Sequence, residues 1–491
     1  MLADITEKKL SFFFYSFITL LVWNAGTTWW IWNSTDVGSI GAIVANSLLM
    51  TLPWWGFRIF KRKFGDNIGY ASLIIFWMSF EYIHLNWQLS WPWLTIGNVF
   101  AVHPGWVQWY EYTGTSSGTL WVLLVNILLY LGFKKRNDQY RFFSFKFLIP
   151  LLLLISVPFI LSFILTPDNK TVKQFDNLSN VIIVQPNIDP YNNKFDAATI
   201  SDQMNLLISL SEKDLDSNTR LVIWPETALS QSLPQDGLKE VHYCKPVFDF
   251  VNRHPDITLV TGIESYKTYG PHKATPTARL DERENIYYDE FNSATAIKKD
   301  NPLQFYNKSK LVPGVETLPD FLRWMAPVFE KFGGTTGGYG RDKEASVLKE
   351  NDDPYVVAPI ICYESIYGEY VAGYVRKGAN LLTIITNDGW WGNTSGHKQH
   401  LAYARLRAVE TRKWIARSAN TGISAVIDNC GDVIQTQPWN KAAFIKAQIP
   451  VEDGETFYVR YGDILSKIAL ASGGLLIMWN VVVTIKKMLM K

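Results

Sequence analysis

Hydrophobic and polar positions fall into two regimes along the chain. Stretches at about 10 to 32, 37 to 57, 68 to 85, 117 to 133, 147 to 166 and 464 to 485 are uncharged or nearly so, and each approaches the length of a membrane-crossing helix. From about residue 179 the pattern changes to short β-branched runs alternating with polar helical stretches. VIIVQPN (181–187), RLVIWPE (220–226), ITLVTGI (257–263), FNSATAI (291–297), VVAPIICYE (356–364), NLLTIITND (380–388) and GISAVID (422–428) read as buried strands. Helical periodicity falls near 197–213, 236–253, 365–377 and 398–413. The alternation predicts an α/β layered domain with mixed sheets, inserted between an N-terminal helical membrane bundle and one C-terminal transmembrane helix. The expected boundaries are 1–166, 167–463 and 464–491. The polar stretch 266–288 and the Gly-dense stretch 333–340 (GGTTGGYG) read as mobile loops over a site or as plain insertions.

Charge adds an orientation. Lys8 and Lys9, then Arg58, Lys61, Arg62 and Lys63, then Lys134, Lys135, Arg136, Arg141 and Lys146, and finally Lys486, Lys487 and Lys491 fall on alternate connections. The connections 33–36 and 86–116 contain no Lys or Arg. By the positive-inside rule both termini are expected in the cytoplasm and the block 167–463 outside it. The apolar run after MLADITEKKL is longer than a signal-peptide core and reads as a retained span.

A hydrophobic fraction of 48% over 491 residues averages these regimes, and a formal net charge of +2 gives no reason to expect a nucleic-acid partner. Cys244, Cys362 and Cys430 are too few and too scattered for a disulfide framework or a zinc site. No metal or organic cofactor is implied. The segment 86–116 holds Trp87, Trp91, Trp93, Trp106 and Trp109, which suits an interfacial aromatic girdle or a substrate groove. Glu81 and His84 share a helix face in the third span, as a functional pair or as partners within the bundle.

Three strings in the polar block carry chemistry: WPET with Glu226, YNKSKLVPGVE with Lys308 and Glu316, and PIICYES with Cys362. A carboxylate, an ammonium and a thiol at strand ends are the groups needed to form and break a thioester. Cys362 stands between a strand and a helical stretch, where a nucleophile is exposed to backbone N–H groups; alone it would read as a core thiol. Glu226 and Lys308 alone would read as solvated ion pairs. GTSSG (114–118) matches a hydrolase elbow string but precedes a membrane span, and the glycines of 333–340 lack the Lys-Ser/Thr of a phosphate loop.

WPET, YNK followed by LVP and a Glu, ICYE, TNDGWWG and the R-A-x-E to N-T-G segment (407–422) resemble the nitrilase superfamily. Joined to many N-terminal spans and one span after TFYVRYGD (456–463), they resemble its membrane-embedded branch, the apolipoprotein N-acyltransferases. The resemblance implies an α-β-β-α sandwich, with Cys362 as nucleophile, Glu226 as general base and Lys308 as the cation beside the oxyanion. It also implies that Glu316 positions Lys308 and Cys362, with Tyr363 and Glu364 as the pair following the nucleophile. The implied donor is a membrane phospholipid giving its sn-1 chain to the Cys, and the implied acceptor is the α-amino group of a diacylated apolipoprotein.

The chain departs from that pattern in three places. LVPGVE replaces LVP, an aromatic, Gly and Glu. NNKFD, with Phe195, stands where a Trp is usual. Five spans precede the block instead of seven, the first resembling the family's third. Two rival readings share the strings: a tethered nitrilase-type amidase passing its acyl group to water, and a non-catalytic membrane scaffold.

Overall fold

A computed structural model of the chain describes residues 6–134, 144–167, 178–327 and 338–490. It divides into two compact units: one gathers the chain up to Trp32, Asp36–Thr166 and Tyr461 onward, and the other gathers Asn33–Thr35 and Pro167–Arg460.

The first unit holds α1 (Lys9–Thr28), α2 (Asp36–Phe64), α3 (Asp66–Asn86), α4 (Ser116–Phe133), α5 (Phe145–Leu165) and the C-terminal helix Ile464–Leu489. All six are long and apolar enough to cross a membrane, α1 being continued by a 3₁₀ turn to Asn33, and they fit a multi-pass bacterial membrane protein. Their ends follow helix electrostatics. Asp36 and Asp66 open α2 and α3, while Lys61, Arg62 and Lys63 close α2. The basic ends also meet one another's elements: Arg58 donates to the carbonyls of Thr6 and Glu7 at 2.9 and 2.7 Å, Lys134 pairs with Asp66 at 3.0 Å, and Lys63 Nζ donates to Asn480 Oδ1 and Thr484 Oγ1, each at 2.6 Å. Lys135, Arg136, Arg141 and Lys491 lie outside the described residues.

Glu81 pairs within the bundle. It accepts from Trp77 Nε1 at 2.9 Å, the Ile96 N–H at 2.8 Å and Thr119 Oγ1 at 2.7 Å, tying α3 to α4 and to the segment between them. That Trp-rich segment is a series of 3₁₀ turns (Pro92–Leu94, Ile96–Val102, Pro104–Trp106). Trp93 is buried edge-on against Trp30 at 4.8 Å, whereas Trp106 is exposed.

The second unit is two sheets back to back. The first contains β1 (Ser179–Gln185), β2 (Thr219–Ile223), β3 (Leu229–Pro234), β4 (Thr258–Gly270), β5 (Arg279–Asp281), β6 (Ile286–Ile297), β7 (Gln304–Asn307) and β14 (Ala443–Ile449). Its main order is β14-β1-β2-β4-β6-β5, with β3 on β4 and β7 on β6. The second sheet contains β8 (Leu348–Lys349), β9 (Val356–Ile361), β10 (Leu381–Thr386), β11 (Ile415–Ala419), β12 (Ala425–Ile427) and β13 (Val433–Thr436), in the order β13-β12-β11-β10-β9-β8. Strand alternation sorts the side chains. Val181 and Ile183 of β1 join Ile360, Ile384 and Ile415 in the core between sheets, and Ile182 and Val184 pack under α6 (Ile200–Glu212) and α7 (Lys245–Arg253). On the other side, α8 (Gly368–Arg376) and α9 (Ser395–Thr411) cover the second sheet. This is the α-β-β-α sandwich that the resemblance implies.

One expectation is corrected, and one strand was not anticipated. About half of 266–288 is strand at the outer end of a hairpin: β4 pairs with β6 as far as Gly270↔Tyr287, and β5 adds a further strand, leaving 271–278 and 282–285 as connections. Its solvated end is polar, which hid the strand periodicity. The strand β11 went unread because its sequence, IARSA, places Arg417 and Ser418 in the interior, where Asp388 neutralises the guanidinium at 2.8 Å. Of the Gly-dense stretch, 333–337 lies outside the described residues.

Candidate active site

Parallel strands β2, β9 and β10 end on the same side of the sandwich, and the site is built from the turns that follow them. β9 stops at Ile361 and Cys362 takes φ +50°, a left-handed conformation that a non-glycine residue adopts at a cost of about 1–2 kcal/mol. The turn is over-determined by its neighbours. Ser365 Oγ donates to the Cys362 carbonyl at 2.8 Å, His400 Nε2 lies 3.1 Å from the same oxygen, and Glu364 Oε2 accepts the Ile361 N–H at 2.9 Å. The Cys362 side chain is 8% exposed and hydrogen-bonded to Thr386.

Glu226 lies beyond β2 instead of within it. Trp224, anchored through Nε1 to Ser211 Oγ at 2.8 Å, ends the strand pairing, and Pro225 begins the turn. The turn presses on β4: a Cβ at Gly262 would stand 2.6 Å from the Glu226 Cα and 2.5 Å from the Thr227 nitrogen. Glu226 is buried with full hydrogen bonding. Oε1 accepts from Asn292 Nδ2 at 2.8 Å and Lys308 Nζ at 3.3 Å, and Oε2 accepts the Asn387 N–H at 3.0 Å.

Lys308 follows β7, whose pairing with β6 is extended by the Lys308 N–H to Asn292 carbonyl bond at 2.9 Å. Its ammonium, 1% exposed, lies 2.7 Å from Glu316 Oε1 as well as 3.3 Å from Glu226. Glu316 Oε2 accepts the Val312 N–H at 2.8 Å, so the LVPGVE turn curls back onto its own lysine. Asn292 Nδ2 reaches Glu316 Oε1 at 3.3 Å, joining all three charged groups.

Burial and charge oppose each other here. Burial pushes the Glu226 carboxyl up, but the Lys308 ammonium, the Asn292 bond and Lys194 together hold it below the usual carboxylate range. Burial pulls Lys308 down, and Glu316 and Glu226 more than reverse this. Cys362 is pushed well up, by burial first and by the Glu226 charge second, against the pull of Lys308. The resting state is therefore a thiol beside a carboxylate, and the proton must leave as the sulfur attacks.

Glu364 does not face this cluster. Wholly buried, it accepts from the Ser309 and Lys310 N–H groups at 2.8 and 3.2 Å, Tyr306 OH at 2.5 Å, Tyr374 OH at 3.2 Å and the Ile361 N–H already given. It thus links the nucleophile turn to the lysine turn. Tyr363 is buried edge-on to Tyr367 at 5.3 Å. Phe195 is half exposed.

Residues without an assigned role in the sequence complete the site. Lys194, 2% exposed, donates to the Glu226 carbonyl at 2.8 Å, and burial lowers it to about 8 despite the pull of Glu226, Glu264 and Cys362. Glu264, opposite Asn292 in the β4–β6 register, is pushed up to about 7 by burial and by the charges of Glu290, Glu316 and Glu226. Behind Cys362, Asp388 Oδ1 meets His400 Nδ1 at 2.9 Å and Asp388 Oδ2 meets Arg417 at 2.8 Å. Arg407 pairs with Glu410 at 2.8 Å and donates to the Ile366 carbonyl at 2.7 Å. Asp388, Arg407 and Arg417 stand in the TNDGWWG and 407–422 strings, so the signal was present without a role.

The carbon-nitrogen hydrolase profile matches residues 180–458, and that of the apolipoprotein N-acyltransferase N-terminal domain matches residues 1–128. The apolipoprotein N-acyltransferase of Chlorobaculum tepidum is 30% identical over 96% of this chain and 88% of its own. The chain belongs to the apolipoprotein N-acyltransferase family. The apolipoprotein N-acyltransferase of Geobacter metallireducens is 26% identical over 92% of this chain and 81% of its own. Among solved structures, a carbon-nitrogen hydrolase from Helicobacter pylori G27 overlaps 59% of this chain and 94% of its own at 16% identity and a TM-score of 0.39. Membership makes the chain an acyltransferase of lipoprotein maturation, and the family resemblance carried by WPET, ICYE and TNDGWWG is borne out.

Proposed function

We propose that Cys362 carries a fatty acyl group between a membrane phospholipid and the N-terminal amine of a diacylated apolipoprotein, in two half-reactions. In the first, Glu226 takes the thiol proton as the sulfur attacks the sn-1 ester carbonyl. Lys308 and the Tyr363 N–H stabilise the oxyanion, a well-placed donor being worth about 3–4 kcal/mol. The ester C–O bond breaks, the proton passes from Glu226 to the leaving alkoxide, and the lysophospholipid departs. In the second, the α-amine attacks the thioester, Glu226 takes its proton, the C–S bond breaks and the thiol is restored. A thioester is reactive enough to acylate an amine without ATP.

What supports the reading is the pairing of a buried thiol with a carboxylate that stays ionised because Lys308 and Asn292 hold it so. The bands of Lys and Arg that meet at one end of the helical bundle favour a cytoplasmic location for that end, and hence an extracytoplasmic catalytic domain across 167–463.

The experiment is incubation of the full chain with phospholipid, followed by mass analysis of the Cys362 peptide. A stable acyl adduct discharged by a lipopeptide amine is the expected result. Discharge by water at the same rate would favour the amidase reading, and absence of an adduct would favour the scaffold.

A further inference from the structure

Within the helical bundle, one buried polar group is left unmet. His84 on α3 is 6% exposed and stacks on Phe80 at 5.0 Å. Trp87 Nε1 donates to His84 Nδ1 at 3.0 Å, which makes Nδ1 the acceptor and leaves the ring proton of the neutral imidazole on Nε2. Nε2 is buried and has no hydrogen-bond partner among the described residues. An unmet donor at that depth calls for an acceptor.

His84 lines an open-sided groove of about 590 Å³ between α2, α3 and the C-terminal helix, with Leu52, Gly56, Phe80, Ile83 and Ile477 in its wall. The α3 wall runs from Phe76 to His84, roughly 12 Å along the helix axis, and Trp87 follows just beyond the helix end. Two other polar side chains in the lining are satisfied: Ser79 Oγ donates to the Ile75 carbonyl at 2.6 Å, and Asn480 Oδ1 accepts from Lys63. Gly474 keeps the space open, since a Cβ there would meet nothing within 4 Å. Toward Glu81 and Trp91, His84 borders a separate void of about 10 Å³, room for one water at most.

We propose that the groove is a binding site for one acyl chain of a membrane glycerolipid, with an ester oxygen of that lipid accepting from His84 Nε2. The three walls are helices long and apolar enough to cross a membrane, so an apolar chain is the occupant the surroundings supply. The occupant must also bring an acceptor. A helix from a second copy would have to bring a side-chain acceptor, because its backbone carbonyls are already bonded internally. A glycerolipid joins a free carbonyl to a long apolar chain. The proposal does not depend on Cys362 being the nucleophile.

The test uses the full chain in vesicles of phosphatidylethanolamine and phosphatidylglycerol, doped with phosphatidylethanolamine bearing a photoreactive diazirine in one acyl chain. Labelling at Phe80, Ile83 and Ile477 is expected to exceed that at Leu152 and Ile160, exposed residues of α5 that sample bulk lipid, by about fivefold or more. Gly474→Leu should bring the groove labels down to the α5 level and leave the α5 labels unchanged. His84→Phe, which keeps an aromatic ring on Phe80, should lower severalfold the phospholipid retained after detergent washing. Groove labelling no higher than at α5 in the unmodified chain would overturn the proposal without any variant. Equal retention by His84→Phe would overturn the assigned acceptor bond.

Discussion

Asn292 Nδ2 donates to Glu226 Oε1 at 2.8 Å, and through the same side chain and its own carbonyl it also touches Glu316 and Lys308. A neutral amide at this point can serve two carboxylates without changing the charge balance. Asn292→Ala removes a bond to a charged acceptor, worth about 1.5–3 kcal/mol, and is expected to slow acylation of Cys362 by about 10- to 100-fold. Asn292→Asp should be slower still, since it puts a third carboxylate on one ammonium. The rate of adduct formation with phospholipid is the measurement, and wild-type rates in Asn292→Ala would remove the amide from the orientation of Glu226.

Glu316 holds Lys308 through the closer of its two carboxylate contacts, 2.7 Å against 3.3 Å to the base, and its second oxygen ties down the Val312 N–H. Glu316→Gln should let the ammonium swing toward Glu226 and away from the oxyanion position. A displacement on the order of 1 Å costs about 100-fold in rate. Expected is a loss in kcat for acylation with the apparent KM for phospholipid nearly unchanged. A change confined to KM would assign Glu316 to lipid binding.

Buried strands were legible because their apolar runs have no other use. VIIV, RLVI and NLLTII became β1, β2 and β10 within two residues or so. The four helical patterns also appeared, with 236–253 beginning as two 3₁₀ turns, because one face of each must pack on a sheet. Polar interior positions were not legible. Asn292 and Arg417 look like surface residues in sequence, and only the pairing of β6 with β4 and the packing of Asp388 reveal their partners. Glu226, Lys308, Glu316 and Cys362 could be singled out by their place at strand ends and by motif. What gathers them is non-local: Glu226 and Lys308 are 82 residues apart. The same limit applied to Glu364, where adjacency to Cys362 in sequence concealed a side chain pointing into a separate hydrogen-bond knot.

That knot makes its own prediction. Glu364 receives three backbone N–H groups and two tyrosine hydroxyls, and burial is the main cause of its raised pKa, opposed by those donors. Glu364→Gln substitutes an amide NH₂ for one acceptor oxygen and sets donor against donor. We expect a loss of about 3 kcal/mol or more in stability, read as a lower Tm in detergent. Acylation should be lost together with folding and not ahead of it. Full stability with lost acylation would instead place Glu364 in contact with substrate.

Gly262 is required by contact and not by its own backbone angle. A methyl group there would stand 2.5–2.6 Å from three backbone atoms of Pro225, Glu226 and Thr227, so one of the two elements must move. Since β4 is paired on both sides and the turn is not, the turn should yield. Gly262→Ala is expected to cut acylation by about 100-fold while lowering stability by only about 1–3 kcal/mol. An unchanged rate would mean that Glu226 tolerates displacement and is not the base.

Lys194 supplies a pH signature. Its ammonium donates to the Glu226 carbonyl from full burial, and burial lowers its pKa to about 8, below the value near 10.4 of an exposed lysine. Between those values the unfolded chain binds more proton than the folded one, so this group's destabilising effect is complete below pH 8 and fades as the pH rises toward 10. Lys194→Met abolishes that dependence. The difference in Tm between Lys194→Met and the unmodified chain should therefore be most favourable to the variant near pH 7 and shrink by pH 9.5. Activity follows the charge in the other direction. Above pH 8 the neutral amine no longer helps to stabilise the Glu226 carboxylate and the emerging thiolate, so acylation by the unmodified chain should fall severalfold there. Lys194→Met should be slow at every pH and show no inflection. A Tm difference that stays constant from pH 7 to 9.5, or an inflection near pH 8 that survives the substitution, would remove Lys194 from the electrostatics of the site.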